Sequence, residues 1–138
     1  MILKSERYVY DRTEERYTFP VYELDTDRRT VIYTDPESYE RTTTSFHTNF
    51  VKQHLRYVAE NDIGRLKKIL NEGDIIAYLD ELEDKCFEIV DKQVEKWKAE
   101  DKEYQVAVMS GDIVLAAGLA NNLTERAKEV VRESLVYG

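Results

Sequence analysis

The chain has 138 residues, 42% of them hydrophobic and 35% charged, enough apolar content for one modest core and too much for a disordered polymer. Its formal charge of −8, with an isoelectric point near 4.9, argues against free binding to nucleic acid or anionic membrane, which relies on clustered Lys and Arg. A single cysteine, Cys86, excludes an intrachain disulfide, and the longest apolar run, 113–120, is far shorter than the ~20 residues of a membrane span. The opening "MILKSERYVYD" has no apolar stretch of the signal-peptide kind, so the expectation is a soluble, cytoplasmic protein with no membrane contact.

Six of the ten tyrosines fall in the first forty residues. "RYVYD", "RYTFPVYELD" and "RTVIYTD" are rich in aromatic and β-branched side chains, which suit a pleated, half-buried surface, so up to three short antiparallel strands are predicted there. Pro20 confines the second run to an edge or a bulge, "DTD" at 25–27 reads as a turn rather than a metal-binding pair, and Asp35-Pro36 marks another turn. Tyr8, Tyr10, Tyr17 and Tyr22 make this region a candidate aromatic contact surface.

From about Thr44 the apolar period becomes helical. Phe46, Phe50, Val51, His54, Leu55 and Val58 define a first helix ending near Asn61, with His47 and His54 on one face. Asp62 is placed to cap a short second helix that Gly73 closes, and Asp74 to cap a long third one with Ile75, Leu79, Leu82, Cys86, Val90 and Trp97 inward. After a polar turn at 99–103, a fourth helix carries Val106, Met109, Ile113, Ala117, Ala120, Leu123, Ala127, Val130 and Val131 as its stripe. "SGD" at 110–112 lies within that helical period. The expected fold is thus α+β, one domain over 1–138: a small antiparallel β element (1–42, tyrosine-rich) on a mostly helical body of about four helices (43–138).

Within the fourth helix, Gly118 stands among Ala116, Ala117 and Ala120, where a second helix could approach closely. Asn121 and Asn122 lie about 100° apart, so at least one flanks the stripe. It would hydrogen-bond a neighbouring backbone or set the register of a helix pair, as a buried Asn does in coiled coils; otherwise both are solvated polar residues. The same stripes could fill a monomer core or pair two copies, leaving a homodimer open.

The tail "GLANNLTERAKEVVRESLVY" resembles the end of the TnpV family, small proteins encoded on bacterial transposons and integrative elements. "HLRY" at 54–57 and "ILNEGDIIAYLDELEDKC" at 69–86 resemble it too, so the similarity runs in order over about residues 52–137. Two features depart from the family: the tryptophan usual early in its last helix is absent, and the tyrosine-rich front end is different. The resemblance implies a mobile-element accessory protein, sometimes suspected of an excisionase-like role, with no settled biochemical activity.

No catalytic constellation is legible. His47 and His54 have no HxxxH, HExxH or CxxC spacing to support a metal, and His54 reads as a hydrogen-bonded core histidine. Cys86 reads as a small buried hydrophobe, and no phosphate-cradling glycine loop exists, so no cofactor is expected. The unusual pattern is one of charge. Asp80, Asp84, Glu88, Asp91 and Glu95 follow at steps of 4, 4, 3 and 4, within an arc of about 80° opposite the apolar stripe. Either this row is a solvated face, offset by pairs such as Glu81–Lys85 and Glu88–Lys92, or it presents charge to a basic partner.

The leading expectation is a non-enzymatic interaction protein binding a basic protein surface, which could belong to a host nuclease or an element recombinase. A narrower form is an anti-CRISPR-type inhibitor of a defence nuclease that mimics nucleic acid. The alternative, an excisionase-like DNA-binding factor, must contend with a net charge of −3 over 1–50, −3 over 51–100 and −2 over 101–138. Its best cluster is Arg65, Lys67 and Lys68.

Overall fold

A computed structural model describes residues 1–137. The fold is α+β, with six strands in two antiparallel sheets followed by five helices and a single terminal π turn. By packing, the chain divides into two compact units, Met1–Leu82 and the chain from Glu83 onward. The composition changes at 42/43; the packing divides instead inside the long third helix.

In the first unit, strands β1 (Ile2–Lys4), β4 (Tyr22–Asp25), β5 (Thr30–Thr34) and β6 (Arg41–Ser45) form one sheet in that order, all neighbours antiparallel. Strands β2 (Tyr8–Asp11) and β3 (Arg16–Pro20) form a separate hairpin. Six strands thus replace the expected three. The run "RYTFPVYELD" breaks at Pro20-Val21 into strands of different sheets, and Pro20 pairs with Tyr8 at the end of the hairpin, beside a register shift between Tyr8 and Tyr10. The threonine-rich 41–45, read as the approach to a helix, pairs with β5 because β-branched residues fit a pleated surface.

One device makes all three tight turns. Asp11 Oδ1 accepts from the N–H groups of Thr13 and Glu14, Asp25 Oδ1 from Asp27 and Arg28, and Asp35 Oδ1 from Glu37 and Ser38. Four residues after each aspartate the backbone turns left-handed, at Glu15 (φ 55°), Arg29 (φ 58°) and Tyr39 (φ 63°). The aspartate supplies acceptors for the turn N–H groups, and the left-handed residue returns the chain to its partner strand. Those backbone bonds, Arg28's first, also hold the Asp25 carboxyl below its usual range.

Helices α1 (Asn49–Asn61) and α2 (Ile63–Glu72) and the start of α3 (Ile75–Glu100) complete this unit. Its core joins Val9, Leu24 and Val31 from the strands to Val51, Leu55, Val58, Leu66, Leu70, Ile75 and Leu79 from the helices. Helix α1 begins at Asn49, capped by Thr48, because β6 and its exit consume the preceding residues. His47 therefore lies outside the helix and is exposed, and the shared face with His54 does not exist. Asp62 precedes α2 without a side-chain cap bond, whereas Asp74 caps α3 through the N–H groups of Ile76 and Ala77.

In the second unit, Cys86, Val90 and Val94 of α3 are buried, as are Ala107 of α4 (Lys102–Met109) and Leu123, Ala127 and Val131 of α5 (Ile113–Val131). The expected fourth helix is two helices, which makes five. Ser110-Gly111-Asp112 forms a turn, not a helical segment: Gly111 adopts φ 76°, a left-handed value that ends α4, and Asp112 Oδ1 accepts from the Leu115 N–H to begin α5. The continuous apolar period hid this break. Val106, Met109, Ile113 and Val130, assigned inward on one helix, are exposed. The chain closes with the π turn, Arg132–Val136, whose Val136 is buried.

Candidate functional site

Three surfaces stand apart from ordinary solvated exterior. The first is acidic. Asp80 lies on α3 in the first unit, and Asp84, Glu88, Asp91 and Glu95 on α3 in the second; all five are exposed. Glu88 accepts from Lys92 Nζ at 2.7 Å, and that hydrogen bond holds its carboxyl below the usual range. The expected Glu81–Lys85 pair does not form among the described residues. Opposite, Cys86 is fully buried, and desolvation, seconded by the Glu83 charge, pushes its thiol up to about 11. It is packing material with no thiolate at neutral pH.

The second surface is aromatic. On the β2–β3 hairpin, alternation sends Val9 inward and leaves Tyr8, Tyr10, Tyr17 and Phe19 exposed on the outer face. Tyr10 and Tyr17 are cross-strand partners, edge to face with ring centroids 5.2 Å apart. The Arg41 guanidinium lies 3.8 Å from the Phe19 ring centroid. Tyr22 does not belong to this face. It is 7% exposed on β4, where the break at Pro20-Val21 starts a new strand in another sheet, so it packs into the core. Phe19 takes its place, a residue visible in the sequence but unassigned without the register.

Tyr22 instead anchors a polar junction. Its hydroxyl feels the Asp74 carboxylate, and Arg7 donates to the carbonyls of Leu70 at 2.8 Å and Gly73 at 2.7 Å. Burial first, then the Asp74 charge, pushes the Tyr22 hydroxyl up to about 12. The Arg7 bonds tie the strands to the α2–α3 corner. His54 is likewise internal: it is fully buried, and its Nε2 meets the Tyr78 hydroxyl at 2.6 Å. Arg65 lies over the Tyr78 ring at 5.7 Å, leaving Lys67 and Lys68 exposed on α2.

The third surface, which the sequence reading placed in the core, is the apolar tip of the α4–α5 hairpin. Val106, Met109, Ile113 and Val114 are 64%, 86%, 80% and 84% exposed. Farther along α5, Gly118 is exposed and a methyl group added there would meet no atom of the described residues within 4 Å. Asn121 and Asn122 are exposed as well.

Among the described residues, no group of three or more His, Cys, Asp or Glu side chains is arranged to hold a metal ion, and no helix is long and apolar enough to cross a membrane. Compared with known proteins, the chain matches no family model, no curated protein and no solved structure.

Proposed function

We propose that this chain is a non-enzymatic accessory protein of a mobile genetic element, of the kind its TnpV-like blocks imply, and that it binds a partner with a basic surface through the acidic run of α3. One observation carries the reading. Asp84, Glu88, Asp91 and Glu95 stand exposed in a row, and among the described residues a lysine engages Glu88 alone. A merely solvated face offsets its own repulsion with i,i+4 pairs; here three of four carboxylates are left open to a partner. The run spans about 16 Å at 1.5 Å per residue, a length suited to a basic groove. The aromatic face of the β2–β3 hairpin offers a separate contact for the same or another partner.

In its narrower form the partner is a nucleic-acid enzyme, a defence nuclease or an element recombinase, whose phosphate-binding groove the carboxylates occupy. The excisionase-like alternative has less behind it, because Arg65 is engaged with Tyr78 and two lysines remain of its basic cluster. The test is differential capture from host lysate with the full chain and with Asp84→Lys, Glu88→Lys and Asp91→Lys combined. The wild type should retain a basic-surfaced protein that the reversed variant, equally helical by circular dichroism, loses. Equal retention by both, or capture of nothing beyond the chain itself, contradicts the reading.

A further inference from the structure

We infer that the α4–α5 hairpin is the interface between two copies of this chain. Helices that are apolar all round are normally buried, yet here only Ala107 is covered and the rest of the apolar tip is largely exposed. Val106, Val108, Met109, Ile113, Val114 and Leu115 are each at least 44% exposed. Together they leave open on the order of several hundred Å², the range of the about 800 Å² per partner that a standard interface buries and more than a monomer's surface normally tolerates.

Charge identifies the occupant. Residues 104–124 carry a single charge, Asp112, in a chain that is 35% charged and −8 overall. Even that carboxylate is engaged, accepting the Leu115 N–H at 3.1 Å as the cap of α5. A basic protein, the partner proposed for α3, gains nothing electrostatic from so neutral a patch. An apolar bilayer would have to take in Asp112, which sits between Met109 and Ile113, and the flanks at 98–103 and 125–128 together carry no net positive charge to draw the chain to anionic lipid. For a second copy the patch is the natural choice: two chains of like charge meet at least cost where each carries only the one carboxylate, already engaged as a helix cap.

The shape also closes on itself. Between α4 and α5 lies a hollow of about 290 Å³ lined by Tyr104, Ala107, Val108, Ala116, Ala117 and Ala120, with Gly111, Asp112 and the exposed Ile113 forming its rim at the α4–α5 turn. A two-fold interface requires each surface to contain both the knob and the hole that receives its partner's knob, and this hairpin carries both. The small side chains of the hollow leave room for an Ile or Met side chain from the other copy. With that occupant in place, the exposed Met109 and Ile113 become core residues of a dimer, and the apolar period across 106–120 acquires a reason that a single chain does not give it.

The test is sedimentation equilibrium of the full chain over a concentration series, with no partner or lipid present. Two variants accompany the wild type. Ile113→Asp removes the knob at a first-turn position where an acidic residue suits a helix, and Ala117→Glu fills the hollow from an exposed site. The wild type should sediment at twice its 16.3 kDa, and each substitution should weaken association roughly thirtyfold or more, the scale of a hot-spot residue, with helicity unchanged. A wild type that stays monomeric at its highest soluble concentration overturns the inference. So does a dimer that both variants retain, or binding to neutral lipid vesicles by a chain that does not self-associate.

Discussion

Tyr22 illustrates how much one side chain owes to register. Its ring packs in the core of the first unit while its hydroxyl feels the charge of Asp74, the residue that caps α3. Because the folded state raises its ionisation from 10.0 to about 12, the stability it contributes is fully present below pH 10 and is lost as pH climbs toward 12. Alkaline unfolding curves should therefore fall between pH 10 and 12 in the wild type, and Tyr22→Phe should flatten that limb; an unchanged limb would separate Tyr22 from the alkaline transition. Cys86 gives the complementary case of a group silenced by burial. Its thiol should resist a thiol-specific reagent at pH 8 and react promptly only in denaturant, whereas rapid labelling of the native chain would mean an accessible thiolate. Both residues carried chemistry-bearing side chains in the sequence; parity around Pro20-Val21 and the α3 stripe decide that both serve packing. The stripe was legible as period, but the parity switch was not, since nothing local announces that β3 and β4 join different sheets.

At the scale of elements, turns account for most of what the sequence concealed. The repeated aspartate turn fixes three hairpins, and each needs a left-handed residue for which neither glycine nor asparagine was available. Glu15 is exposed and makes its turn with φ 55°, so Glu15→Gly should stabilise the fold by about 1 kcal/mol in denaturant melts. Gly111, with φ 76° and no atom near a prospective Cβ, should show the reverse: Gly111→Ala should cost about 1 kcal/mol through backbone strain alone. Equal and opposite failures would mean that the turn conformations are not what limits stability. Those same turns explain the miscounted elements. Periodicity reports which residues share a face within a regular segment, but it runs unbroken across Ser110-Gly111-Asp112 because the break falls between two apolar helices. It likewise missed β1 and β6, which are defined by the strands beside them: Ile2–Lys4 pairs with β4 and Arg41–Ser45 with β5. Long amphipathic segments such as α1 and α3 were legible because their own sequence specifies them.

At the scale of the molecule, the chain concentrates unlike surfaces in different places. Charge is dense along α3 and nearly absent over 104–124, while four exposed aromatics, Tyr8, Tyr10, Tyr17 and Phe19, share one hairpin. The acidic row could be read directly, because helical spacing translates sequence position into angle. The apolar tip could not, since exposed and buried apolar stripes have the same period and differ only in what covers them. That separation is the ground for the two proposed contacts: a basic partner for α3 and a second copy for the α4–α5 hairpin. The measurement that bears most directly on the first is the affinity for the captured basic partner as a function of salt. It should be made for the wild type and for the charge-neutral Asp84→Asn, Glu88→Gln and Asp91→Asn combination. The account predicts that neutralisation weakens binding by roughly tenfold or more and flattens the salt dependence, as loss of opposed charge at an interface requires. Affinity and salt slope that are the same for both chains would contradict it.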